Sequence, residues 1–152
     1  MQIRAATNDD AEAIRQVVFG ILREYDLMAE HEGVDADLND IEANYAARGG
    51  MFEIVEIDEG GIVGTVGVHA RDDGVCELRK MYLLPEYRGR GWGRKLLERA
   101  LAFARTNGFR RMELETSSKL VEAIALYKRN GFTPLARDSM ACRCDQAFGL
   151  DL

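Results

Sequence analysis

The sequence predicts an α/β (α+β) chain: a mixed, mostly antiparallel sheet of about seven strands, a central parallel β-α-β unit and about four helices. Three observations lead there. The runs "MFEIVEID" (51–58) and "IVGTVGVHA" (62–70) flank "EGG", the pattern of a β-hairpin. Strand-like "VCELRKMYLL" (75–84), a helical stretch, and strand-like "RRMELET" (110–116) then alternate, which requires a crossover between parallel neighbours. Finally, apolar residues at Ile14, Val17, Val18, Ile21, Leu22 and Tyr25 follow the spacing of one helix face.

In chain order, "IRAA" (3–6) is a short strand and "TNDD" (7–10) has the spacing of a capping box before the first helix. Residues 26–40, with Gly33 and many acids, read as a loop. Ile41, Tyr45 and the neighbouring alanines predict a short second helix ended by Gly49-Gly50. After the hairpin, "RDDG" (71–74) turns the chain into the strand 75–84, which Pro85 stops. A helix runs to about Thr106, with Gly108 placed as a C-terminal cap. A last helix spans 119–130 and closes at Gly131. "FTPLAR" (132–137) and the tail "CRCDQAFGLDL" (142–152) are read as two more strands. No repeat or linker divides residues 1–152, so one domain is expected.

Composition narrows the function classes. With 47% hydrophobic and 30% charged residues, the chain resembles an ordinary globular protein. A net charge of −6 opposes broad nucleic-acid binding. There is no apolar run long enough to span a membrane, and "MQIRAATNDD" has no leader-like core, so neither membrane nor export is expected. Cys76, Cys142 and Cys144 cannot all pair within one chain, which points to a reducing, cytoplasmic setting; Cys76 and Cys142 read as small hydrophobes. His31 and His69 form no spaced ligand pair, so no metal is expected.

The stretch "RGRGWGRKLLERA" (88–100) carries the chemistry. Glycines before a helix start allow an anion to reach unpartnered N–H groups at the positive end of the helix dipole. Arg88, Arg90 and Arg94 add charge there. Neither G-x-G-x-x-G nor the P-loop pattern is present, whereas R-x-x-G-x-G fits at Arg88, Gly91 and Gly93. Together with the preceding strand and "EAIALYKRNGF" (122–132), this pattern resembles the GCN5-related N-acetyltransferase (GNAT) superfamily from end to end. The resemblance implies an acetyl-CoA-dependent N-acetyltransferase acting on a primary amine of a small molecule or peptide. Its alternative is an acyl-CoA-binding module without turnover. Homodimers occur in the family, though nothing in this sequence indicates one.

The resemblance also implies roles. Backbone groups of Gly89, Arg90, Gly91, Trp92, Gly93 and Arg94, with Arg88, would close around the pyrophosphate of acetyl-CoA. Trp92 stacks on ligand or packs on the adjacent helix. Strand residues Met81, Tyr82 and Leu83 would meet the pantetheine arm beside a family β-bulge. Parity supports such a bulge: Leu78, Met81 and Leu83 all face the core only if an extra residue sits near Arg79–Lys80. Tyr127 matches the family's general acid, and a phenol of pKa about 10 can protonate a thiolate whose acid is near ~8.5; otherwise it is a core aromatic. Glu77 is the candidate base, or else a strand residue paired with Arg79 or Lys80. One position departs from the family: Leu120 stands where a cofactor-contacting Asn is common, with Ser117, Ser118 and Lys119 beside it.

Between Glu24 and Glu42 lie eight acidic residues and no Lys or Arg. By resemblance this segment walls the acceptor site. It either draws a cationic substrate or forms a solvated acidic face.

Overall fold

Seven strands form one sheet in the computed structural model of the protein, which describes residues 1–152. They are β1 (Gln2–Ala5), β2 (Met51–Glu56), β3 (Ile62–Ala70), β4 (Val75–Leu83), β5 (Arg111–Thr116), β6 (Thr133–Pro134) and β7 (Gln146–Asp151), in the spatial order β1-β2-β3-β4-β5-β7-β6. Only the β4–β5 pair is parallel. The helices are α1 (Ala11–Glu24), α2 (Ile41–Asn44), α3 (Trp92–Thr106) and α4 (Val121–Arg129). α3 is the crossover between β4 and β5, as a parallel pair requires.

Alternation along the strands sends side chains to two cores. Val55, Val66, Val68, Cys76, Leu78, Met112 and Leu114 pack with Leu96, Leu97 and Ala100 of α3 and with Ile124 and Tyr127 of α4. On the other side, Phe52 and Ile54 meet Ile14, Val18 and Leu22 of α1, together with Leu38, Ile41 and Tyr45. The predicted stripe of α1 is buried from Ile14 to Leu22, while Tyr25 caps the helix and is only partly buried; the Asp10 carboxylate accepts the Thr7 N–H at 2.9 Å. Asn107 ends α3, and Gly108 follows in the left-handed region at φ +79°.

Three expected boundaries change. The run 132–137 forms a strand only at Thr133–Pro134, where the proline offers no N–H to the ladder, and a last bond from the Leu135 N–H to the Ala147 carbonyl at 2.9 Å ends the pairing with β7. The tail strand starts at Gln146, so 142–145 belongs to a loop, and Cys142 is exposed instead of packed. The segment 26–40 is not all irregular: Ala36–Asn39 forms a 3-10 helix whose Leu38 is fully buried.

The expected bulge is present in β4. Gly67 pairs with Arg79 and Thr65 with Tyr82, so Val66 alone stands opposite Lys80 and Met81. Lys80 is the additional residue, at φ +54°. Leu78, Met81 and Leu83 accordingly all reach the α3 core. The bulge is held from both ends. Thr65 donates its hydroxyl to the Lys80 carbonyl at 2.6 Å. The Lys80 ammonium lies 3.3 Å from Asp35 and 3.2 Å from Asp37, and donates to the Val34 carbonyl at 3.1 Å. All three charged side chains are buried. Arg143 completes the cluster with a two-pronged contact to Asp35 at 2.7 and 2.8 Å.

Removing the cation would strand two carboxylates, so Lys80→Met is expected to destabilise the fold by about 3–5 kcal/mol in denaturant unfolding. Lys80→Met with Asp37→Asn leaves the Asp35–Arg143 pair balanced and is expected to recover most of that loss. A single variant within about 1 kcal/mol of wild type would show that the cluster does not hold the bulge.

Candidate functional site

The loop between β4 and α3 has the geometry of an anion cradle. Gly89 and Gly91 sit at φ +73° and +85°, which L side chains disfavour. A methyl group at either would meet nothing within 4 Å, so the requirement is for backbone shape and not for room. Gly91 is the residue before α3, whose first N–H groups therefore face the loop.

The charged residues of this stretch have separate partners. Arg88 donates to Glu24 at 2.6 and 2.8 Å and to the Leu83 carbonyl at 2.9 Å, tying the loop to α1. Arg90 lies over the Tyr87 ring. Arg94 pairs with Glu98 one turn along and remains well exposed. Trp92 is half-buried against the core, with the Lys95 ammonium 4.3 Å from its ring centre.

From this loop a cleft of about 570 Å³ runs between β4 and α4. Met81, Tyr82, Leu83, Arg88, Gly89, Gly91, Gly93 and Arg94 line it; Arg90 and Trp92 do not. The cleft exists because β4 and β5 separate. Their pairing covers only Val75–Glu77 against Arg111–Glu113, and past Glu77 that edge of β4 has no strand partner. The edge offers free backbone donors and acceptors to an extended ligand.

A second, smaller cavity opens on the other side of the same gap, and Met81, Tyr82 and Leu120 line both. It holds Glu77, Arg79, Lys80, Glu115, Tyr127 and Arg143. Glu77 accepts the Arg79 Nε–H at 3.2 Å and is 17% exposed. Tyr127 is both core aromatic and cavity residue: its ring packs against Phe132, and it reaches the cavity wall. Burial, with Tyr82 nearby, pushes its phenol above the usual range. Burial likewise lifts Tyr82 to about 12 and the Cys144 thiol to about 11, so Cys144 stays protonated and unreactive at neutral pH. No group of three His, Cys, Asp or Glu side chains is arranged to hold a metal.

At the Leu120 turn the polar neighbours are engaged elsewhere. Ser118 donates to Asp145 at 2.7 Å, and Lys119 to the Asp26 carbonyl at 3.0 Å. Ser117 lines the smaller cavity.

The acidic segment is neither a free wall nor a solvated face throughout. Asp35 and Asp37 are buried and neutralised by Lys80 and Arg143, while Glu32, Asp40 and Glu42 face solvent. Lys80 and Arg143 are the site residues that sequence reasoning missed. The only signal was the placement of a Lys where the strand requires an extra residue; partners 43 and 108 positions away leave no local spacing.

Comparison with known proteins agrees with this geometry. Residues 16–132 match the Acetyltransferase (GNAT) family. The chain is 38% identical over 135 residues to the uncharacterized N-acetyltransferase YjgM of Escherichia coli, spanning 86% of this chain and 80% of that protein. A GNAT-family acetyltransferase from Staphylococcus aureus superposes with a TM-score of 0.92 at 24% identity, covering 99% of this chain and 98% of that one. YncA from Salmonella typhimurium, solved with its cofactor acetyl-CoA, superposes at 0.76 with 26% identity, over 99% and 93% of the two chains. The shared fold and the sequence match over most of its length mean that this chain belongs to the GNAT acetyltransferase family and is an acyltransferase.

Proposed function

We propose that the protein transfers the acetyl group of acetyl-CoA to a primary amine of a small molecule or peptide, by direct attack of the amine on the thioester. The observation that carries this reading is the meeting of two cavities at the β4 bulge, one reached from the glycine loop and one holding Glu77 and Tyr127. In this reading N–H groups from Gly89 to Arg94 close around the pyrophosphate, and the open β4 edge at Met81, Tyr82 and Leu83 pairs with the pantetheine arm. A bulge N–H polarises the thioester carbonyl.

The acceptor enters through the smaller cavity as an ammonium ion. Glu77 takes a proton from it, directly or through water, and the freed nitrogen attacks the carbonyl carbon. As the C–S bond breaks, Tyr127 gives its proton to sulfur. Burial keeps the phenol protonated at neutral and mildly alkaline pH, so a proton is in place as negative charge develops on sulfur. All three cysteines are free thiols, which fits a reducing cytoplasm.

Acetyl-CoA at 100 times its dissociation constant is expected to stabilise the protein by about 2.7 kcal/mol in a thermal-shift titration. Absence of any shift would overturn the donor assignment. Tyr127→Phe is expected to lower kcat by about 10²- to 10⁴-fold while acetyl-CoA affinity stays within about twofold. Wild-type turnover in that variant removes Tyr127 from the chemistry. Because burial raises the Tyr127 phenol above its ordinary value of about 10, loss of this acid is expected to cause no fall in wild-type kcat up to pH ~10; a Tyr127-dependent fall below that pH in the pH–rate profile would contradict the buried, protonated phenol.

A further inference from the structure

We infer that the acceptor is an α-amino acid bound as a zwitterion, its ammonium on Glu77 and its carboxylate on Arg79. This rests on the acyl-transfer reading above and names the substrate class for the same cavity.

Five charged residues line the acceptor cavity: Glu77, Arg79, Lys80, Glu115 and Arg143. Three of them are answered from within the protein. Lys80 is held by Asp35 and Asp37, Arg143 by both oxygens of Asp35, and Glu115 by Arg137 and the Ala141 N–H. These are the groups that a polyamine or a polyanion would have to recruit, and their mutual neutralisation leaves neither a strongly negative nor a strongly positive wall. The 24–42 segment meets the cavity only at Leu27 and Val34, so none of its acids lines the wall.

Glu77 and Arg79 differ. They stand two residues apart on the same face of β4, about 7 Å apart along the strand, and their only mutual bond is Nε–H to carboxylate at 3.2 Å. A guanidinium has five N–H donors in a planar fork. Arg79 commits one to Glu77, and no other carboxylate lies within ion-pair distance of it. Its side chain is 25% exposed and lines the cavity. The Tyr45 hydroxyl donates to Asp37 and keeps its lone pairs towards the Arg79 guanidinium, so part of the fork is directed at Tyr45 and the rest is left for the cavity. The site therefore presents one carboxylate and one half-used guanidinium side by side. A free amine matches only the first; a zwitterion with its two charges on neighbouring atoms matches both. Placing the ammonium on Glu77 puts the nucleophile next to the proposed base, and the fork fixes the molecule's orientation.

The reaction balances without another reactant. The amine nitrogen forms the new C–N bond to the acetyl carbon, the C–S bond breaks, sulfur takes one proton, and one proton is released through Glu77. The product keeps its carboxylate as an N-acetyl amino acid.

The test is thiol release from acetyl-CoA with the twenty common α-amino acids as acceptors. For each one that turns over, its carboxamide and its decarboxylated amine are also measured. The expected result is a kcat/KM for the amino acid about 10- to 100-fold above both relatives that lack the carboxylate. Arg79→Met and Arg79→Lys should each pull that ratio towards one, chiefly through KM for the amino acid, with Arg79→Lys keeping the charge and Glu77's partner if Arg79→Met folds poorly. An amide or amine that serves as well as its amino acid overturns the zwitterion assignment while leaving acyl transfer intact. An unchanged ratio in folded Arg79→Lys and Arg79→Met overturns the role of Arg79. No thiol release with any acceptor, despite acetyl-CoA binding, overturns the transferase reading itself.

Discussion

A lysine buried at a left-handed backbone position is the constraint on which the rest of this site depends. Lys80 at φ +54° adopts a conformation that costs a residue with a Cβ roughly 1–2 kcal/mol. It is kept there because its ammonium answers two buried carboxylates and its carbonyl accepts a buried threonine hydroxyl. Were the strand regular, every residue after Arg79 would change face. Met81 and Leu83 would leave the α3 core, and β4 could continue alongside β5. The bulge allows the two parallel strands to part, and both cavities open in the gap.

The same cluster ties distant pieces of chain to the bulge. Asp35 and Asp37 come from the segment between α1 and α2, and Arg143 from the loop between β6 and β7. One wall of the small cavity is thus fastened to the other, and both to the strand whose free edge faces the cleft. Such buried pairs are weak contributors to stability relative to an apolar core. Their worth here is geometric: each partner has one place to go, so loops that would otherwise be loosely placed are held at fixed distance from Glu77 and Tyr127.

Much of the site was legible because it is encoded by neighbours in sequence. The glycine spacing at 89, 91 and 93 marks a loop that needs positive φ immediately before a helix, and two of the three glycines adopt it. The parity of Leu78, Met81 and Leu83 located the bulge within a residue. Tyr127 follows Ile124 on one face of α4, and its burial was readable from that spacing. Elsewhere local signals misled. "FTPLAR" has strand composition but borders the sheet's edge with a proline, and Cys142 sits in a loop whose exposure no periodicity reveals. The eight acids of 24–42 looked alike in sequence, yet two are buried ion-pair partners and others face water.

By itself, then, the sequence determined the order of elements, the parallel β-α-β unit, the glycine loop and the family to which the chain belongs. Each of these follows from propensity or hydrophobic period over a few consecutive residues, where the physics is short-ranged. Only the tertiary structure decided which charges are answered by a partner and which are left partly unpaired. Ion pairs form between whatever side chains the fold brings together, here across 43 and 108 positions, and no local pattern specifies them. The loop before α3 is built from backbone and is therefore written in glycines. The smaller cavity is built from side-chain charges, and it takes shape only once Lys80 and Arg143 have claimed their partners.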